Sequence, residues 1–272
     1  MLDRFFSTLS MVSRIPFKAR FTFDPSRLDF YLPIIGIFPA MLGVLVYGAC
    51  TLVTGSPLIT VLVTLIIQYL GFNLFHLDGL VDTADAFLGS FEKEKRFAIL
   101  KDSRIGTYGL FAGMAVFALK AALLYSLIPF IPLFPAVILA YPISGRFGAA
   151  LIPCMTQPAK PDGLGILLKN SSLRRCIAGV LAGFFLWAAL LWGSLALAAL
   201  VLPLNIKLLF IDRDLLLLLA ASLTGPPVSL GMARLYRKHL GGYTGDALGA
   251  AVELAELFYM AAAFLALRIM GQ

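Results

Sequence analysis

Three aspartates, Asp78, Asp82 and Asp85, stand at positions i, i+4 and i+7 of the stretch HLDGLVDTADAF. On a helix turning roughly 100° per residue their side chains point within about 60° of one another, so three carboxylates share one face. Like charges so placed repel unless a cation neutralises them or water solvates them. Oxygen ligands without a nearby cysteine, and a single histidine, His76, just ahead, suit Mg²⁺ or Mn²⁺ better than Zn²⁺. Asp102 would complete such a site if the chain folds back. The first turns of a solvated surface helix also favour acids through the macrodipole, so the spacing by itself leaves that reading open. His76 fits a ligand, a base or an interfacial polar side chain.

Lys101 and Arg104 flank Asp102 in KDSRIG, and Gly106 and Gly109 follow. Arginine offers a planar fork for phosphate oxygens, lysine a point charge, and glycine lets a backbone N–H approach closely. Beside a metal site this set points to phosphate, although a cytoplasmic excess of basic residues would account for it equally. A second cluster, KHLGGYTGDALGAAVELAE, runs from Lys238 to Glu256, and puts Asp246, Gly249 and Glu253 on one helical face. Glu253 and Glu256 lie about 10 and 15 Å along that helix from Asp246, at a depth where an ionisable group costs several kcal/mol unless paired. They are functional by default, with pairing to Arg146 or Lys120 as the structural alternative. Arg146, in the apolar run YPISGR, needs either a substrate phosphate or a protein carboxylate. The segment from Gln157 to Arg175 reads as a lid or as a simple connector.

The elements that must position these residues are membrane helices. Of 272 residues 60% are hydrophobic and 14% charged, and the mean hydropathy is +0.91, which excludes an ordinary soluble domain. A span needs about 20 apolar residues, and the sequence predicts seven: Tyr31 to Thr54, Pro57 to Phe75, Tyr108 to Phe130, Pro132 to Met155, Cys176 to Leu202, Asp214 to Leu235 and Asp246 to Met270. The expected fold class is therefore all-α: a polytopic helical bundle forming a single domain, with the chemistry on a loop over 76–107 and a second loop over 157–175. Leu2, Phe5, Phe6, Leu9 and Val12 recur at helical spacing, as in an amphipathic helix lying in the membrane interface over 1–20. No cleavable signal is expected there, because Asp3, Arg4 and Arg14 interrupt the stretch.

With the N-terminus inside, the basic residues of the formal +7 chain fall almost wholly on inner loops, and only Lys207, Arg213 and Arg268 fall outside. An odd number of crossings then leaves the C-terminus outside. Cys50, Cys154 and Cys176 form no metal or redox pattern and read as filler.

HLDGLVDTADAF, KDSRIGTYG and GGYTGDALGAAVELAE, in that order, resemble the signature segments of cobalamin synthase, the adenosylcobinamide-GDP ribazoletransferase family. FFSTLSMVSRIPF and SGRFGAALIP extend the resemblance along the chain. It implies a Mg²⁺-dependent enzyme of the bacterial or archaeal cytoplasmic membrane, which joins adenosylcobinamide-GDP to α-ribazole or its 5′-phosphate and releases GMP. On this resemblance Asp78, Asp82, Asp85 and Asp102 bind metal, and the catalytic acids are Asp82, Asp85 and Asp102. Lys101, Arg104 and Arg146 hold phosphates. His76, Gly241, Gly242 and Asp246 complete the substrate side, with Asp246 either joining the metal cluster or touching substrate. The partners implied are these small molecules and the lipid bilayer, with no nucleic acid; a homo-oligomer or contact with other corrinoid-pathway enzymes is compatible. CDP-alcohol phosphotransferases are a more distant likeness, because Asp82 and Thr83 stand where that motif has Ala and Arg. A cation-coupled transporter is the rival from another class, and only Glu253 and Glu256 favour it.

Overall fold

The computed structural model describes residues 2–14, 20–130, 134–201 and 220–270. These residues are predominantly helical, with no strand among them and a single bridge between Pro158 and Tyr243. The first helix, α1, covers Leu2–Val12. Its apolar stripe packs on protein: Leu9 and Val12 are buried, and the Phe5 ring meets Tyr31 edge-on with centroids 6.0 Å apart. Helices α2 (Leu28–Ile35) and α3 (Ile37–Thr54) form one bent unit. The bend falls at Gly36, where a Cβ would lie 2.7 Å from the Ile143 Cα. Gly55, left-handed at φ 59°, ends α3. Ser56, accepting from the Ile59 N–H, with Pro57 at the first helical position, starts α4 (Pro57–Gln68).

A π-helical turn, Tyr69–Asn73, joins α4 directly to α5 (Leu74–Gly89), so the expected second span and the first part of the expected catalytic loop are one rod of 33 residues. Then come α6 (Lys93–Ile99), α7 (Thr107–Leu127), α8 (Phe134–Met155), α9 (Leu173–Val201), α10 (Gly225–Leu240) and α11 (Gly245–Met270). The last of these is central. Its Ala247, Ala250, Ala251 and Ala255 are fully buried, and small residues of this kind let α5, α8 and α10 approach its backbone.

Five helical units among the described residues are long and apolar enough to cross a bilayer: Leu28–Thr54, Pro57–Gly89, Thr107–Leu127, Leu173–Leu190 and Gly245–Ile269. The chain is a multi-pass membrane protein. The expected count of seven is not reached among these residues. The fourth expected span forms α8 but is not among the five. The sixth, Asp214 to Leu235, begins outside the described residues and continues into α10, which is only 16 residues long and carries Arg234, Arg237 and Lys238. The expected outer-loop cations Lys207 and Arg213 also lie outside the described residues.

Candidate active site

Helices α5 and α11 cross in near contact, and glycine makes the crossing possible. A Cβ on Gly79 would sit 2.8 Å from the Asp246 carbonyl oxygen and 3.1 Å from the Gly249 Cα, and one on Gly249 would sit 2.9 Å from the His76 carbonyl oxygen. Asp78 and Asp82, on either side of Gly79, are thereby brought beside Asp246 in the first turn of α11. Asp82 is within electrostatic reach of Asp78, Asp246 and Asp85, and Asp246 within reach of Asp78 and Lys160. Asp78 is exposed and Asp82 half-buried, and neither has a hydrogen-bond or ion-pair partner among the described residues. Asp246 accepts only from the Thr244 hydroxyl, at 3.0 Å among side chains. Thr83, one turn beyond Gly79, locks the arrangement from behind, its Oγ1 lying 2.6 Å from the Tyr236 hydroxyl of α10.

The third aspartate of the motif serves a different purpose. Asp85 is buried, and its two carboxylate oxygens accept the backbone N–H groups of Gly106 and Gly109, each at 2.8 Å. A carboxylate bonded to the free amides of a helix start satisfies groups that otherwise have no partner and meets the positive end of the dipole. A Cβ on either glycine would collide with this carboxylate, so Gly106 and Gly109 are explained by Asp85 and not by phosphate. The expectation that Asp85 faces a metal with Asp78 and Asp82 is corrected: the α7 terminus takes up both of its oxygens.

Asp102 likewise stays outside the cluster. Its carboxylate meets the Arg104 guanidinium 2.5 Å away, and these hydrogen bonds hold its pKa down at about 2. The pair is local and solvent-facing, with the Arg104 side chain 87% exposed, so the structure brings neither residue to Asp78 and Asp82. Lys101 does reach the site. It lines a cavity of about 300 Å³ together with Lys160, Asp162, Tyr243, Thr244 and Asp246. Burial, then the neighbouring Lys101 charge, holds the Lys160 ammonium below the ordinary lysine range.

Gly241 and Gly242 form the turn that leads into the cavity-lining Tyr243 and Thr244. Gly241 is left-handed, at φ 86°, and ends α10 with its N–H on the Arg237 carbonyl. Gly242 lies so close to the Gln157 carbonyl and the Ala159 N–H that no side chain fits. The glycine turn and the 157–159 strand-like segment exchange two backbone bonds, Ala159 N–H to Tyr243 O at 2.8 Å and Tyr243 N–H to Gln157 O at 2.9 Å. The two glycines therefore act as turn and docking residues. Lys160 and Thr244 were missed as site residues; the signal was the glycine-flanked run AKPDGLG, which has no meaning until its partner segment is known.

Arg146 and the deep glutamates form a separate centre. Lys120 of α7 donates to Glu253 at 2.6 Å and to Glu256 at 2.7 Å, while Arg146 of α8 donates to Glu256 at 2.9 Å and to Asn73 at 2.8 Å. Tyr69 donates to Glu253 at 2.6 Å. Exposure of the four charged side chains is 0 to 1%. Two cations and two carboxylates cancel, which is the condition for keeping them away from water. The π-helical turn, by widening the helix, lets Tyr69 and Asn73 both reach this group. Arg146 thus has a protein carboxylate for its anion, and the expectation of substrate phosphate there is corrected. His76 is buried at 3% exposure with its Nε2 unpartnered, on the wall of an apolar cleft and not in the polar cavity.

As the side chains stand, no group of three His, Cys, Asp or Glu residues among those described is set to hold a metal ion. The donor chemistry of Asp78, Asp82 and Asp246 nevertheless fits a hard divalent cation: three carboxylates on two helices, with no cation paired to them and almost no competing hydrogen bond. Such an ion would have to draw them together.

Residues 4–264 match the family described as cobalamin-5-phosphate synthase. Among curated proteins the chain is 30% identical over 261 residues to an adenosylcobinamide-GDP ribazoletransferase of Clostridioides difficile, with 95% of this chain and 96% of that one covered. A protein of the same name from Vibrio cholerae is 32% identical, with 94% and 91% covered, and one from Citrobacter koseri 31% identical, with 96% and 99% covered. No solved structure matches. With a match that runs nearly end to end, and with the HLDGLVDTADAF and GGYTGDALGAAVELAE segments meeting at one helix crossing, the chain belongs to the cobalamin-5-phosphate synthase family.

Proposed function

We propose that the protein is an adenosylcobinamide-GDP ribazoletransferase, which makes adenosylcobalamin, or its 5′-phosphate, from adenosylcobinamide-GDP and α-ribazole, or α-ribazole 5′-phosphate, with release of GMP. The observation that carries this reading is the juxtaposition of Asp78, Asp82 and Asp246 at the Gly79–Gly249 crossing, beside a cavity lined by two lysines. Attack of an alcohol on a diphosphate needs little covalent help from protein. It needs the diphosphate held, its charge matched and the hydroxyl proton taken up.

In this reading Asp78, Asp82 and Asp246 would hold a Mg²⁺ ion. When bound, such an ion screens the phosphate oxygens and the charge that develops on the leaving group. Lys101 supplies a cation at the cavity wall for the non-bridging oxygens. The ribose hydroxyl of the acceptor forms the new bond to the cobinamide-side phosphorus, the bond to the GMP-side oxygen breaks, and the hydroxyl proton passes to a carboxylate of the set. GMP leaves with the electron pair. The basic residues of KEKRFAILKDSR, of which Lys101 lines the cavity, support a cytoplasmic position for this face through the positive-inside rule.

Purified protein in detergent, given adenosylcobinamide-GDP and α-ribazole, should release GMP in a Mg²⁺-dependent way. Removal of divalent metal should abolish turnover and Mg²⁺, or Mn²⁺, should restore it. Full turnover in excess chelator would remove the metal from the proposal, and absence of GMP with either acceptor would remove the activity.

A further inference from the structure

Lys160 lies on a segment that reads in the sequence as a lid or connector, yet the backbone bonds of Ala159 and Tyr243 fix that segment to the glycine turn ahead of α11. The Tyr243 hydroxyl adds a third tie, donating to the Gly165 carbonyl at 2.8 Å. The segment is therefore a fixed wall of the cavity. Lys160 projects from it with its Nζ 4.3 Å from the centroid of the Phe97 ring of α6. A lysine held over an aromatic face has its stem packed and its direction set, while its ammonium keeps donors free on the side away from the ring.

Lys160 is within electrostatic reach of Lys101, and neither forms an ion pair among the described residues. Asp162 and Asp246 stand nearby without contacting either of them. Two ammonium groups lining one cavity of about 300 Å³ repel each other until an anion lies between them. The cavity has room for a phosphate pair, and lysine serves as a point charge toward phosphate where no bidentate fork is available.

We propose that Lys160, on the docked 158–165 wall, and Lys101 form a two-sided clamp for the diphosphate of a nucleotide-diphosphate ester. This rests on the transferase reading above and adds to it the residue and the segment that select a diphosphate donor.

The test uses the full-length protein in nanodiscs of zwitterionic lipid. GDP binding is measured by equilibrium dialysis and GMP release by turnover, for the wild type, Lys160→Ala, Lys160→Arg and the exposed loop variant Lys169→Ala. The expected result is about tenfold weaker GDP binding in Lys160→Ala, with a tenfold higher KM for adenosylcobinamide-GDP that exceeds any fall in kcat. Lys160→Arg should recover most of both, and Lys169→Ala should match the wild type. Unchanged GDP affinity and KM in Lys160→Ala overturn the clamp, as does a Lys160 dependence seen only for phosphatidylglycerol added to the discs. Lys160-dependent GDP binding without GMP release would leave the clamp standing and remove the transferase reading; GMP release indifferent to Lys160 would do the reverse.

Discussion

Asp82→Asn is expected to abolish GMP release while the protein still inserts and folds. The substitution keeps the shape of the side chain and removes the charge at a half-buried position with no hydrogen-bond or ion-pair partner among the described residues, so the bundle has little to lose. What is lost is one of three charges facing the diphosphate. Several kcal/mol of transition-state stabilisation from a bound cation correspond to a rate loss on the order of a thousandfold. Asp85→Asn, three residues on, should behave differently. An amide cannot accept from both Gly106 and Gly109 without presenting its own N–H groups to one of them, and leaving such a buried pair unsatisfied costs about 1 to 3 kcal/mol. Its activity should therefore fall with the folded fraction and lose heat resistance first. Activity assays paired with thermal melts of the two variants separate the roles, and equal melting curves with equal loss of activity would contradict the division of labour.

The largest effect on stability is expected in the buried charge centre. Lys120→Met leaves Glu253 and Glu256 with only Arg146 to balance them, and removing one partner of a buried ion pair costs about 3 to 5 kcal/mol. For a chain of this size that is on the order of 10 °C in the melting temperature of the solubilised protein. Lys120→Met combined with Glu253→Gln restores neutrality and should regain much of the loss, since a neutral buried set is tolerated where an odd charge is not. A single variant that melts with the wild type would show that these ions are not held as a balanced set. Their pairing also removes the sequence-level support for a transporter, which rested on Glu253 and Glu256 alone.

The contrast between Asp82 and Asp85 shows where the sequence becomes ambiguous. Helical periodicity correctly puts Asp78, Asp82 and Asp85 on a helix, and the packing of α5 then decides their separate fates. Asp85 falls where the start of α7 arrives, and nothing within HLDGLVDTADAF announces that neighbour. The same holds for KDSRIGTYG, whose glycines suit phosphate and helix capping equally until a carboxylate is seen between them. Asp246 stood out in the sequence because it shares a helical face with Gly249 and Glu253, although an acid in a first turn also suits the helix dipole, and only the Gly79–Gly249 crossing puts it beside Asp78 and Asp82. Lys160 was not, because one lysine among many on a basic face carries no signal without the Ala159–Tyr243 pairing.

The spans follow the same pattern. Long apolar runs gave α7, α9 and α11 to within a few residues, since the bilayer requires length and hydrophobicity. The junction of α4 and α5 was not visible. The polar residues from Asn73 onward suggested a loop, whereas the π-helical turn carries the helix straight on and uses Asn73 inside the protein. Deep glutamates beside Arg146 and Lys120 could be read either as a functional or as a self-neutralising set, and geometry selects the second. In each case the residue types set the chemistry available, and tertiary contact chose among the uses.

Everything proposed for catalysis depends on Asp78, Asp82 and Asp246 acting together on one cation. Mn²⁺ bound to the solubilised protein, followed by electron paramagnetic resonance, tests this directly. The wild type and Asp102→Asn should bind the ion alike, whereas Asp82→Asn and Asp246→Asn should each weaken it severely. Undiminished Mn²⁺ binding with both Asp82 and Asp246 replaced, or binding lost only when Asp102 is changed, would contradict the site.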